Sequence, residues 1–201
     1  PKDRVSVLDE MARVSREGFI LTFPYQSAAV EAAEKHVCET YKTRFNKEHP
    51  WLSEHLQHPL PDVEEILKHL QTLGGQYVVL DVGTLSHWVE LQLTDQLLES
   101  LPDGLDLAKQ IDQFYQKNMF PRDFNPPTYR KVILHLLRIE DPLDLEFVTA
   151  PAEEVLPLEM ELRTMIQEGI LSLFADQQKA IESLEDQSQQ SALSVEYINR
   201  L

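Results

Sequence analysis

The residues best suited to chemistry lie in one connecting segment, 46–61, which is rich in proline and holds three of the chain's seven histidines. His49, His55 and His58 have side chains that exchange protons near neutral pH. Together with Glu54 they also offer a set of metal ligands, although their spacing matches no common metal site. The prolines alone explain a shaped loop, because proline fixes its own backbone and restricts the preceding residue. We therefore predict a loop without a metal site.

The segments around this loop alternate between strand and helix patterns. A continuous apolar run from Phe19 to Phe23, bounded by glycine and proline, is typical of a strand buried on both faces of a parallel sheet. Further strands are predicted at 77–82 and 129–138. Apolar residues at helical spacing predict helices at 1–14, 28–45, 63–73, 85–101 and 105–115, and 118–127 is predicted to be a loop. The fold class is therefore α/β, with a helical insertion at 84–127.

The helix at 28–45 is expected to bury Ala29, Ala33, His36 and Val37 along one side. His36 would then be a core histidine whose hydrogen bonds are satisfied. Cys38, the single cysteine of the chain, is expected to be a small buried side chain rather than a nucleophile. One cysteine permits neither an internal disulfide nor a thiolate metal cluster, which fits a reducing compartment and predicts a cytoplasmic location.

Charge limits the classes of partner. The chain has 18 lysines and arginines against 34 acidic residues, which gives a net charge of −16. Such a surface repels phosphate backbones and anionic lipids, so neither nucleic acid nor a membrane is expected as a partner. No apolar run approaches the roughly 20 residues that a membrane-spanning helix needs.

The C-terminal part differs in character from the rest. Prolines and acidic residues predict a linker at 140–152, so that 1–139 forms one domain and 153–201 an acidic helical extension. Apolar residues alternate at three and four positions from Val155 to Phe174, as in a helix that packs against another helix. Two interpretations remain open. The helix either folds back on its own domain or forms a short coiled coil, and we favour a coiled coil that can form a homodimer.

The order of motifs in the first 138 residues resembles the C-terminal half of class I S-adenosylmethionine-dependent methyltransferases of the type-11-like group. The series begins with R-V-x-x-x-G, an apolar strand and P-Y at 13–25, and continues with L-P-D-x-E-E-I-L, L-x-x-x-G-G and a valine-rich strand at 60–82. The resemblance implies a partial Rossmann-like sheet in which the antiparallel Val132 strand lies between the Phe19 strand and the Tyr77 strand. The Phe19 strand would keep an open edge, which we expect to be covered by further sequence or by a second copy.

The resemblance also implies a function. The segment after the Phe19 strand lies beside the substrate pocket in that family, which makes His55 a possible general base and Tyr25, His49, Trp51 and His58 substrate-binding residues. The acceptor would be a small molecule or a glycan. None of the six glycines forms a G-x-G, so the Gly-rich cofactor motif is missing and no cofactor-binding residue is predicted here. We expect S-adenosylmethionine to bind only to a longer parent protein, of which this stretch alone is an inactive part.

The alternative is a non-catalytic interaction module. Such a protein would keep the half-fold and bind partners through the helical hairpin at 85–115 and the acidic C-terminal helix.

Overall fold

A computed structural model describes residues 3–138 and 152–199 of the chain, which form a mixed α/β fold. The predicted linker at 140–152 lies outside the described residues except for its last position. The elements are α1 Asp3–Val14, β1 Gly18–Pro24, α2 Ala28–Phe45, α3 Leu52–Gln57, α4 Val63–Leu73, β2 Gln76–Thr84, α5 Leu85–Glu99, α6 Gly104–Phe114, β3 Thr128–Leu136 and α7 Ala152–Asn199.

The three strands form one antiparallel sheet in the order β1-β3-β2. This confirms the predicted strand order and the antiparallel central strand. The prediction that β1 is buried on both faces in a parallel sheet is wrong, because Ile20 is 63% exposed. As an edge strand of a pleated antiparallel sheet, β1 turns alternate side chains toward the helices and away from them.

One face of the sheet carries the main core. Leu8 of α1 and Leu70 of α4 pack with Phe19 of β1 and Ile133 of β3, and all four side chains are buried. Burial of each such side chain contributes about 1.5–3 kcal/mol relative to leaving it exposed. Leu8 and Leu70 belong to the apolar patterns that predicted α1 and α4, and α4 ends as expected at Gly74, where φ is 75°.

The buried face of α2 differs from the prediction. Its buried residues are Val30, Glu34, Val37 and Cys38, whereas Ala29 and His36 are exposed. Alanines contribute little apolar area, so the two valines decide which side of the helix packs inward. The bounds of α2 and the burial of Cys38 were correctly predicted, but His36 is not a core residue.

The predicted loop at 46–61 contains the short helix α3. His49 prepares its first turn, because Nδ1 of His49 accepts a hydrogen bond from the backbone N–H of Leu52 at 3.3 Å. Pro50 lies just before the helix, where proline removes no helical hydrogen bond. The predicted loop at 118–127 is also partly regular, with a π-helical turn at Tyr115–Met119 followed by a 3-10 turn at Phe120–Arg122.

The chain divides into two compact units. The first comprises Pro1–Leu93 with Phe120–Val155 and holds the sheet. The second comprises Thr94–Met119 with Leu156–Leu201 and holds α6 and nearly all of α7.

Within the second unit, α7 packs closely on α6. A Cβ at Gly169 would lie 2.5 Å from Cδ2 of Leu107, so only glycine permits this approach without displacement of Leu107. Part of the predicted helix seam is therefore occupied within the same chain, and the homodimer stays a prediction. No helix in the described ranges is long and apolar enough to cross a membrane.

Candidate functional site

A buried carboxylate connects three elements of the first unit. Oε1 of Glu34, on α2, accepts a hydrogen bond from the Tyr129 hydroxyl of β3 at 2.8 Å and lies 2.9 Å from Nδ1 of His55 on α3. Glu34 is buried, while 34% of the His55 side chain is exposed. Because a carboxylate only accepts hydrogen bonds, the His55 proton lies on Nδ1 and the lone pair on Nε2. The arrangement therefore presents a histidine in one fixed tautomer at a partly exposed position.

Local packing explains why Glu34 and His55 meet. The α2 helix begins at the N-cap Ser27, whose hydroxyl accepts a hydrogen bond from the backbone N–H of Val30 at 3.1 Å. Glu34 follows one turn after Val30, on the face that packs inward. The α3 helix is held against the same side of α2 because Leu52 packs with Val37 and Cys38. This apolar contact between α2 and α3 brings the His55 imidazole to the Glu34 carboxylate.

Tyr129 fixes the other side of the carboxylate. Its ring stacks on Trp88 of α5, with the ring centroids 3.9 Å apart and the planes inclined by 13°. Burial, and then the negative charge of Glu34, raise the pKa of Tyr129 above its ordinary value. The phenol therefore stays protonated and remains a hydrogen-bond donor to Glu34.

Cys38 lies near this carboxylate but is not activated by it. Burial, and then the charge of Glu34, raise the pKa of the Cys38 thiol to about 11. A thiol with such a pKa carries almost no thiolate at neutral pH, so Cys38 is a poor nucleophile there.

The structure places His49 and Trp51 together. The His49 ring is buried, with its centroid 4.9 Å from that of Tyr41 and 6.0 Å from that of Trp51. Trp51 itself is largely exposed. His49 thus helps to build the entry to α3, which is a structural task, and the predicted substrate contacts of both residues stay predictions.

The other two predicted substrate-binding residues are Tyr25, which directly follows β1, and His58, which directly follows α3. The Lys131 ammonium lies 4.7 Å from the centroid of the Tyr25 ring, in a cation–π contact. His58 follows α3 and is exposed, and its backbone N–H donates to the carbonyl of Glu54. Among the described residues, neither Tyr25 nor His58 makes a hydrogen bond, ion pair or ring contact with His55.

The alternative of a metal site at Glu54, His49, His55 and His58 gains no support. Across the described ranges, no group of three or more His, Cys, Asp or Glu side chains is arranged to hold a metal ion. Nδ1 of His55 is already hydrogen-bonded to Glu34 of α2.

Sequence reasoning missed Glu34 and Tyr129 as site residues. For Glu34 a signal existed, because a carboxylate within an apolar stripe costs free energy unless a partner compensates it. A second pair was also missed: Nδ1 of His87 lies 3.0 Å from Oδ1 of Asp123, and both residues are buried. These two residues are 36 positions apart, and their spacing offers no local pattern.

Comparison of the chain with protein-family models, with curated proteins and with solved structures gave no match. Function is therefore inferred from the geometry around Glu34 and from the motif series of the sequence.

Proposed function

We propose that His55 is the general base of an S-adenosylmethionine-dependent methyl transfer, carried out by a longer parent protein on a hydroxyl of a small molecule or a glycan. The observation that supports this proposal is the hydrogen bond between His55 Nδ1 and the buried Glu34 carboxylate. That bond leaves Nε2 as the basic nitrogen on a side chain that is partly exposed.

Each residue of the arrangement has one task. His55 Nε2 removes the proton of the acceptor hydroxyl as its oxygen becomes a nucleophile, and the imidazolium later returns the proton to water. Glu34 stabilises the imidazolium and holds the ring in orientation, while Tyr129 keeps the carboxylate oxygen in place. A positioned general base of this kind typically contributes a rate factor of about 10²–10⁴.

The described residues do not fit a cofactor grip of the methyltransferase kind. Gly74, Gly75 and Gly83 adopt positive φ, but they lie at the two ends of β2 and form no Gly-rich loop before a helix. We therefore assign S-adenosylmethionine binding to the parent protein. A reducing, cytoplasmic location fits the single protonated cysteine and belongs to the same proposal.

The test uses the full-length parent with radiolabelled S-adenosylmethionine and a panel of monosaccharides and sugar nucleotides as acceptors. With an accepted substrate, His55→Gln should lower kcat by a factor on the order of 10²–10⁴, because the base is lost while the fold is kept. His36→Gln is the matched control, since it changes an exposed histidine of α2 to which no role at the site is assigned.

Two results would overturn the proposal. Titration of the parent with S-adenosylmethionine could release no heat, which would exclude S-adenosylmethionine as the methyl donor. Alternatively, His55→Gln could retain the wild-type kcat, which would remove the base.

A second candidate function is a non-catalytic interaction module. It is favoured by the exposed apolar side chains of α7, among them Phe174, Ile181 and Leu184. Absence of S-adenosylmethionine binding by the parent, combined with capture of a partner through α7, would select this candidate.

A further inference from the structure

The second unit carries an open apolar groove beside the turn that joins α5 to α6. The groove has a volume of about 430 Å³ and is lined mainly by Pro102, Leu173, Ala180, Ile181 and Leu184. Ile181 is 51% exposed and Leu184 is 64% exposed. Contiguous exposed apolar surface of this kind marks an interaction site more often than isolated exposed residues do.

The apolar surface continues along α7. Phe174 lies seven residues before Ile181, and Leu184 follows three residues after it, so the three side chains share one side of the helix. An occupant of the groove can therefore extend along α7 from Leu184 to Phe174, which is nearly three turns or roughly 15 Å. This shape suits another helix laid alongside better than a compact small molecule.

Charge selects the class of occupant. The second unit contains thirteen acidic and five basic residues. Two of the acids, Asp103 and Asp176, line the groove itself, and Asp176 also bonds the exposed Lys179 at 3.2 Å. A second copy of the chain would bring the same acidic surface against this one, whereas a basic segment would be attracted to it.

We propose that the groove binds a basic amphipathic helix of a partner protein. Apolar side chains of that helix, spaced at three, four and seven residues, would contact Leu173, Ile181 and Leu184. Its lysines or arginines would lie near Asp103 and Asp176. The proposal names the partner for the second candidate function and holds whether or not the parent protein transfers methyl groups.

The probe is a fluorescein-labelled 14-residue peptide of leucine and lysine, with the leucines on one side of a helix. Its anisotropy is measured with the full chain, beside a scrambled peptide of the same composition and a leucine–glutamate counterpart. We expect saturable binding of the amphipathic basic peptide alone, and a dissociation constant that rises several-fold between 50 and 300 mM salt, because salt screens the attraction.

Variants assign the binding to the groove. Ile181→Ser with Leu184→Ser should weaken binding at least tenfold, and both positions are exposed, so the fold is kept. The matched control is Leu156→Ser, which changes a leucine that is 56% exposed on the same helix but about 42 Å from Leu184 along its axis. Asp103→Asn with Asp176→Asn should weaken binding several-fold and reduce the salt dependence.

Three outcomes would overturn the proposal. The scrambled peptide could bind equally well, which would show attraction to the acidic surface as a whole. The Ile181 and Leu184 variant could bind like the wild type. Finally, the chain could fail to bind the peptide. If the chain that fails to bind is a dimer that Leu184→Ser dissociates, a second copy of the chain occupies the groove. If it is a monomer, the groove does not bind a basic helix.

Discussion

Two histidine–carboxylate pairs of the first unit have a buried carboxylate, and they differ in the exposure of the histidine to solvent. In the Glu34–His55 pair the histidine side chain is 34% exposed and the carboxylate 2%. In the His87–Asp123 pair the corresponding values are 6% and 1%. The distances between the paired atoms are nearly equal, at 2.9 and 3.0 Å.

A hydrogen bond to a carboxylate therefore does not by itself indicate a catalytic histidine. A buried pair satisfies two polar groups that would otherwise destabilise the interior, and this is a structural task. A pair with a buried carboxylate and a partly exposed histidine can exchange a proton with a bound molecule. The comparison therefore predicts large effects on stability at Asp123 and large effects on reactivity at His55.

The largest expected effect follows from removal of the Asp123 carboxylate. Asp123→Ala should lower the free energy of unfolding by about 3–5 kcal/mol, because it breaks a buried histidine–carboxylate pair by removing one of the two groups. Urea unfolding followed by circular dichroism measures the loss. Glu10→Ala is the control, since it removes an exposed carboxylate bonded to Arg13 and should leave the free energy of unfolding nearly unchanged. Equal losses in the two variants would mean that the His87–Asp123 pair is not a structural anchor.

A smaller loss is expected at the other carboxylate. Glu34→Gln keeps the shape of the side chain but replaces a double acceptor with an amide, so it should lower the free energy of unfolding by about 1–3 kcal/mol. The same urea experiment measures it. A loss as large as that of Asp123→Ala would erase the distinction between the two pairs.

The Tyr129 hydroxyl is expected to contribute less again. Tyr129→Phe keeps the ring that stacks on Trp88 and removes only the hydrogen bond to Glu34, at a cost of about 1 kcal/mol. In the parent protein the variant should also lower kcat, because Glu34 loses one of the two groups that hold it. An unchanged kcat with lowered stability would restrict Tyr129 to a structural role.

The smallest effect concerns Asp95, a carboxylate of the second unit that has acidic neighbours instead of a histidine. Burial, and then the charges of Asp112 and Glu99, raise its pKa to about 6 from an ordinary 3.8. A raised carboxyl pKa favours the protonated form in the folded state, so stability is lost as the pH rises through about 6. The residue as a whole is exposed, so solvent screens the carboxylate, and Asp95→Asn should gain less than about 1 kcal/mol at pH 8 and nothing at pH 4. The midpoints of urea unfolding of the wild type and the variant at pH 4 and pH 8 measure this difference in stability. An equal gain in stability at both pH values would contradict the raised pKa of Asp95.

The sequence predicted the elements of the sheet better than the contacts of the site. Glycine and proline boundaries identified β1, the apolar spacing identified α4, and the strand order followed from the motif series. The exposure of one face of β1 was missed because a short apolar run does not reveal how many of its faces are covered.

The site depends on contacts between distant positions, and single-sequence patterns do not determine them. His55 was identified from its segment, but Glu34 lies 21 positions before it and Tyr129 lies 95 positions after Glu34. The side of α2 that faces inward decides whether Glu34 reaches His55. That side was assigned wrongly in part, because Ala29 and His36 were counted on it beside Val37 while Val30 was not.

The tautomer of His55 tests the central claim most directly. Long-range ¹H–¹⁵N NMR of the ¹⁵N-labelled chain at pH 8 distinguishes a protonated Nδ1 from a protonated Nε2 in each histidine. The geometry predicts the proton on Nδ1 of His55 in the wild type and a mixture of both tautomers in Glu34→Gln. A proton on Nε2 of His55 in the wild type would contradict the account, because the ring would then have no basic nitrogen to offer an acceptor.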